Sequence, residues 1–169
     1  KQGFNLIILD SLVNSSEKVI SNMSRILEIK DLKDRLVLIK GDIRNSSLLS
    51  KIFKDSKNNN NPVDAVIHFA GLKSVKDSIM NPLIYWDVNV SGTLNLLNVM
   101  EENKCFTFIF SSSATIYGLQ KNLPILETAA INPYNVYGET KATVEKILFK
   151  ISKNKKFQNW RIATLRYFN

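Results

Sequence analysis

The sequence predicts an α/β chain built on a doubly wound parallel sheet. Three observations carry this. Short apolar runs alternate with amphipathic stretches of helical period along the 169 residues. The apolar runs are near-continuous, as in strands buried on both faces. Their carboxyl ends carry Asp10, Asp42, Gly71 and Ser113, and in parallel sheets ligands gather at those ends.

Residues 4–10 read Phe-Asn-Leu-Ile-Ile-Leu-Asp, a first strand ending in a carboxylate. A polar loop covers 11–16. Residues 17–30 place Val19, Met23, Ile26 and Leu27 on one face of a helix. Leu36 to Ile39 form a second strand, closed by Gly41 and Asp42. Asn45 or Ser46 caps a helix running to about Ser56, with Leu48, Leu49, Ile52 and Phe53 inward. Asn58 to Pro62 make a loop. A third strand spans 64–69, a long helix 82–103, and a fourth strand 106–110. A loop with Pro124 and Pro133 covers 118–135, a helix follows to Ser152, and a last strand spans 161–168. Helices between strands imply right-handed crossovers. No internal repeat or linker divides the chain.

Composition narrows the function classes. Hydrophobic residues make up 44% and charged residues 22%, ordinary for a globular chain with one core. No apolar run approaches the ~20 residues of a membrane helix, so no membrane partner is expected. A single cysteine, Cys105, offers neither a disulfide nor a metal cluster and suits a reducing, cytoplasmic setting. The net charge is +8, yet the positive residues are scattered and no basic stripe interleaves with aromatics. Nucleic acid is therefore not an expected partner. Lys150, Lys153, Lys155 and Lys156 cluster at a helix end, where cations favour the dipole.

The candidate site residues follow from position. Asp10 can accept two hydrogen bonds from a ribose diol, as in NAD, and it equally serves as a strand-end turn residue. Asp42 can accept from an adenine amine while Ile43 covers the ring; a Gly-Asp turn is the plainer reading of the pair. After the third strand, Phe69, Ala70, Gly71 and Leu72 let the backbone approach a pyrophosphate, and Lys73 adds a cation. His68 reads as a core histidine. Asn89 can reach toward the nicotinamide ribose, though alone it is an ordinary helix residue. Tyr137 and Lys141 stand four apart, so they share a helix face, and an ammonium there favours a phenolate. Ser113, at the end of the fourth strand, can donate to the same substrate oxygen. A bare Tyr-x-x-x-Lys is common; its company of a serine-rich strand end and acidic earlier ends makes it specific.

These stretches resemble the extended short-chain dehydrogenase/reductase family and, within it, the UDP-glucose 4-epimerases. The resemblance lies in Ile7-Ile-Leu-Asp10 with Asn14-Ser15, Gly41-Asp-Ile-Arg44, Val66-Ile-His-Phe-Ala-Gly-Leu-Lys73, Asn89-Val-Ser-Gly-Thr93, the Phe110 to Gly118 run, Tyr137-Gly-Glu-Thr-Lys141 and Leu165-Arg-Tyr-Phe-Asn169. It covers essentially the whole chain, and the Phe-Ala-Gly-Leu-Lys run separates epimerases from related sugar-nucleotide enzymes. It implies that Asp10, Ser11, Leu12, Val13, Asn14 and Ser15 line the adenosine ribose of NAD, and that Asp42 and Ile43 hold adenine. Phe69 to Lys73, Asn89, Ser113, Tyr137, Lys141 and Phe168 complete the cofactor site. Lys73, Ser113, Tyr137 and Asn169 face a UDP-sugar. The implied reaction is 4-epimerisation of UDP-galactose and UDP-glucose through a transient 4-keto sugar, with Tyr137 as base, Ser113 assisting and Lys141 tuning it.

The resemblance also implies a Rossmann-like NAD-binding domain over 1–169 that is incomplete. The family's first strand and its glycine-rich phosphate loop are expected before Lys1, and a sugar-binding domain after Asn169. Val136 stands where many relatives have proline. A homodimer pairing the helices 82–103 and 134–152 is expected of the whole protein. Two other readings stay open on sequence: another NAD-dependent sugar-nucleotide epimerase or dehydratase, and a non-catalytic truncated paralogue.

Overall fold

The computed structural model describes residues 3–27 and 35–168. Among the described residues, five parallel strands form two groups. β1 (Leu6–Asp10) pairs with β2 (Leu36–Lys40), and β3 (Ala65–His68), β4 (Thr107–Ser113) and β5 (Arg161–Tyr167) form a three-stranded sheet in that order. All pairings are parallel, with Asp10 opposite Lys40, His68 opposite Phe110 and Ser113 opposite Tyr167. The expected α/β parallel architecture is borne out, but the strands lie in two hydrogen-bonded sheets rather than one. Among the described residues, one edge of β1 and one edge of β3 have no strand partner.

Among the described residues the helices are α1 (Lys18–Leu27), α2 (Ser46–Asn58), α3 (Val75–Met80), α4 (Pro82–Trp86), α5 (Gly92–Glu102) and α6 (Val136–Ser152). The expected α1 continuation to residue 30 lies outside the described residues. α2 starts where its cap dictates: the Asn45 side chain accepts from Leu48 N. α6 is capped in the same way by Asn135, which accepts from Gly138 N at 2.8 Å.

Three details depart from the sequence reading. The stretch 82–103 is a continuous helical path, but a π-turn at Asp87–Ser91 separates α4 from α5. Asn89 in that turn and Thr93 four residues on share a face, and both are buried. α3 is a short helix that no apolar periodicity announces, with Ser74 accepting from Asp77 N. β4 runs on through all three serines, because β5 pairs with it as far as Ser113.

The core lies between the three-stranded sheet and the helices. Phe108, Phe110 and Met100 are wholly buried, packed with Leu49, Phe53, Leu96, Leu97, Val144 and Leu148. Each such side chain contributes on the order of 2–3 kcal/mol relative to exposure. This core seats α5 and α6 against β4, which sets where α6 delivers its first turn.

Candidate active site

The site is built on the carboxyl end of β4. Alternation along the strand buries Ser112 and leaves Ser111 and Ser113 half-buried. Ser113 is extended (φ −147, ψ 148) and caps the 3-10 turn Ala114–Tyr117. Its Oγ accepts from Thr115 N at 3.3 Å and from Thr115 Oγ1 at 3.0 Å. Both bonds are accepted, so the Ser113 proton remains available to donate.

Tyr137 and Lys141 come from the first turns of α6. Lys141 is 5% exposed, and its Nζ donates to Ser111 O at 2.8 Å. The same nitrogen lies 4.8 Å from the Phe110 ring centroid and 5.9 Å from that of Tyr137. Burial lowers the Lys141 ammonium from its ordinary range to about 8. The structure thus gathers Tyr137 and Lys141 and ties them to the strand that carries Ser113.

β3 delivers the next group. Gly71 has φ +153, and a Cβ there would stand 2.9 Å from Asn89 Oδ1, so this turn requires glycine. Asn89 does not present its amide outward. Oδ1 accepts from Leu72 N at 2.8 Å, and Nδ2 donates to Leu72 O at 2.9 Å and to Thr140 Oγ1 at 3.1 Å. Thr140 in turn donates to Tyr137 O at 2.7 Å. Asn89 therefore couples the turn after β3 to the first turn of α6. Phe69 is 64% exposed, with its ring tilted against Tyr167 at 6.5 Å between centroids; Lys73 is exposed, and Ala70 is half-buried.

His68 sits behind this turn, buried. Its Nε2 meets Thr93 Oγ1 at 2.9 Å, and Thr93 gives its one hydroxyl proton to Asn89 O at 2.6 Å. Nε2 must then be the donor, which assigns the tautomer. Burial, and secondarily the Lys141 charge, pushes the ring down to about 3. His68 is a neutral core histidine, as the sequence reading has it.

At the ends of β1 and β2, Asp10 Oδ1 accepts from Leu12 N at 2.7 Å and from Ser15 Oγ at 2.9 Å. Its Oδ2 has no partner among the described residues. Leu12 takes φ 57 to make this turn, an uncommon conformation for a non-glycine residue. Ser11, Val13, Asn14 and Ser15 are exposed around it. Asp42 is less free: Oδ1 accepts from Arg44 N and Nε, and Oδ2 from Arg44 Nη2 at 2.6 Å. That grip by Arg44 holds the Asp42 carboxyl below its usual range. Arg44 also reaches Asp87 at 2.6 Å. Ile43 is buried against Gly92 and Arg44 lies beside it. Phe168 is exposed, with its ring tilted against Tyr117 at 6.3 Å between centroids. Asn169 lies outside the described residues.

Sequence reasoning missed Arg44, Thr140, Thr93 and the pair Glu145 and Arg166. Arg44 and Arg166 lie inside quoted motifs, but nothing in spacing says what a surface-type residue will grip. Glu145 did leave a signal, as the next step in the series Tyr137, Lys141, Glu145.

Comparison with known proteins bears on the family and the fold. The family described as GDP-mannose 4,6 dehydratase matches residues 1–169. The UDP-glucose 4-epimerase of Pisum sativum is 43% identical over 169 residues, covering 99% of this chain and 45% of the relative. UDP-glucose 4-epimerase 2 of Oryza sativa subsp. japonica is 41% identical over 167 residues, covering 99% of this chain and 39% of the relative. Among solved structures, the UDP-glucose-4-epimerase of Stenotrophomonas maltophila, with bound NAD and formylated UDP-arabinopyranose, superposes with TM-score 0.88 at 39% identity. It covers 99% of this chain and 46% of that one. The Bifidobacterium longum enzyme in complex with NAD+ and UDP gives TM-score 0.87 at 37% identity, with 99% and 47% covered. The chain thus spans less than half the length of these relatives. The resemblance to UDP-glucose 4-epimerases holds in both sequence and structure. With the family match running from residue 1 to residue 169, this chain belongs to the GDP-mannose 4,6 dehydratase family.

Proposed function

We propose that the protein containing this chain interconverts UDP-glucose and UDP-galactose at C4, with NAD held by the strand ends described above. One observation carries the reading most: the buried Lys141 is bonded to the β4 backbone with the Tyr137 ring 5.9 Å from its nitrogen. A structural lysine gains nothing from such burial, whereas a proton-handling tyrosine gains an adjacent cation.

The residues fit NAD. Asp10 keeps Oδ2 unpartnered for a ribose diol, the Gly71 turn brings backbone close, and Lys141 supplies a buried cation. Ser11 to Ser15, Ile43, Phe69 to Lys73, Ser113, Tyr137 and Phe168 are proposed around it. Asn89 serves by holding Leu72, and the Asp42 contact to adenine requires sharing with Arg44. NAD, when bound, supplies an acceptor and donor of hydride. The chain's own part is proton handling. Tyr137 takes the proton of the sugar 4-hydroxyl and returns it, and Ser113 donates its free proton to that oxygen. Lys141 holds the charge on Tyr137 in place. Lys73 and Asn169 are proposed on the sugar side.

The domain reading is also a proposal. The unpartnered edges of β1 and β3 border exposed Leu6, Ile7 and Ile67, apolar surface that a parallel sheet normally covers. A further parallel strand between them, carrying a glycine-rich phosphate loop, fits that surface. A homodimer through α3, α4 and α6 is proposed because Ile79, Met80, Leu83 and Phe149 stand exposed on these mutually packed helices. No helix among the described residues is long and apolar enough to cross a membrane. A cytoplasmic setting is proposed from the lone, buried Cys105.

The test is Tyr137→Phe in the full-length protein. Turnover of UDP-galactose should fall by about a thousandfold or more while NAD stays bound. Near-parent turnover would remove Tyr137 from its role, and a parent protein inert toward UDP-galactose would sink the reading itself.

A further inference from the structure

Tyr137, Lys141 and Glu145 stand four apart and form one stripe along α6. Lys141 knots this stripe to β4 through Ser111 O. One turn on, Glu145 makes a second knot to the neighbouring strand. Both its oxygens are held by Arg166 of β5: Nε to Oε1 at 3.0 Å and Nη2 to Oε2 at 2.7 Å. Glu145 is 9% exposed. Arg166 does more with its remaining donors. Nη1 donates to Tyr117 Oη at 2.6 Å and to Glu127 O at 3.1 Å, and the guanidinium lies 5.1 Å from the Tyr117 ring centroid. Tyr117 ends the turn that begins just after Ser113, and its ring supports Phe168.

We propose that the Arg166–Glu145 ion pair is a positioning clamp, setting the height and rotation of α6 so that Tyr137 and Lys141 meet Ser113. The proposal rests on the catalytic reading above. One guanidinium joins four segments: α6, the turn after Ser113, the loop at Glu127, and the end of β5. A partly buried ion pair, with Glu145 9% and the Arg166 side chain 23% exposed, is a poor source of net stability, because desolvation offsets attraction. Apolar side chains of similar volume would hold helix to sheet equally well. What a two-pronged Arg–carboxylate bond adds is direction. Catalysis needs that, since a misplacement of ~1 Å costs on the order of a hundredfold in rate.

The test uses the full-length protein with Arg166→Met and Glu145→Leu combined, so that no charge is left unpaired. The double variant should keep its NAD and a thermal midpoint within a few degrees of the parent. Its kcat should fall about ten- to hundredfold, with the KM for UDP-galactose within about twofold. Arg166→Lys, which keeps the charge and loses the fork, should show the same kcat loss. Amide exchange across residues 136–145 should quicken in the double variant. Parent-like kcat or unchanged exchange overturns the clamp. So does a double variant that unfolds or sheds NAD, since the pair would then be a stability element. Exchange is read without sugar, so an inert parent overturns the catalytic reading while the clamp is still judged by exchange.

Discussion

Lys141 shows at the residue scale how the proposed function and stability oppose each other. Burial makes its charge costly, and the folded lysine titrates at about 8 against an ordinary 10.5. Below pH 8 both folded and unfolded chains carry the proton, so the fold bears the full cost. Between about 8 and 10.5 the unfolded chain binds more protons than the folded one, so stability rises with pH across that window. Lys141→Met should therefore stabilise the cofactor-free chain at pH 7, by about 1–2 kcal/mol once the lost bond to Ser111 O is counted. Urea titrations at pH 7 and 10 check this: the gain should shrink at the higher pH, and a destabilised variant at pH 7 would contradict it. Gly118 is a second such position. Its φ is +63, and a Cβ would stand 2.0 Å from Asn132 O. Backbone cannot yield there as a side chain can, so Gly118→Ala should cost more than about 2 kcal/mol by thermal melting.

At the scale of elements, Asn89 and Thr93 make the site cohere. Four residues apart across the π-turn, they share one helix face and are both buried. They then link His68 on β3, Leu72 after it and Thr140 on α6 by hydrogen bonds. Thr93→Val keeps the shape and removes the hydroxyl, leaving His68 Nε2 without its acceptor. The expected cost is about 1–3 kcal/mol, seen as a lower denaturation midpoint. His68→Phe in the same background should recover part of it, because the orphaned polar ring is gone. No recovery would mean that the link matters less than the cavity around it.

For the whole molecule, the exposed apolar helices make a prediction about assembly. Leu83 is 82% exposed at the tip of α4, beside Met80. If two copies meet there, Leu83→Glu in the full-length protein should shift sedimentation from dimer toward monomer and leave the Tyr137 chemistry in place. An unchanged sedimentation coefficient would place any interface elsewhere. The two-sheet arrangement belongs at this scale as well. Leu6, Ile7 and Ile67 are ordinary core residues by sequence, and only the sheet order shows that they border strand edges without partners.

The strands, most of the helices and the spacing that nominates Ser113, Tyr137 and Lys141 could be read along the chain. Each leaves a local mark: an apolar run, a cap such as Asn45, or a four-residue spacing. His68 was legible for the same reason, being a histidine inside an apolar run. The roles of Asn89 and Asp42 were not, because an amide or a carboxylate has several partners within reach and only packing selects one. Here packing gave Asn89 to Leu72 and Thr140, and Asp42 to Arg44. Arg166 and Glu145 stand 21 residues apart on different elements, so no periodicity joins them. That pairing, like the π-turn, was decided by tertiary structure, where contacts distant in sequence outweigh local preference.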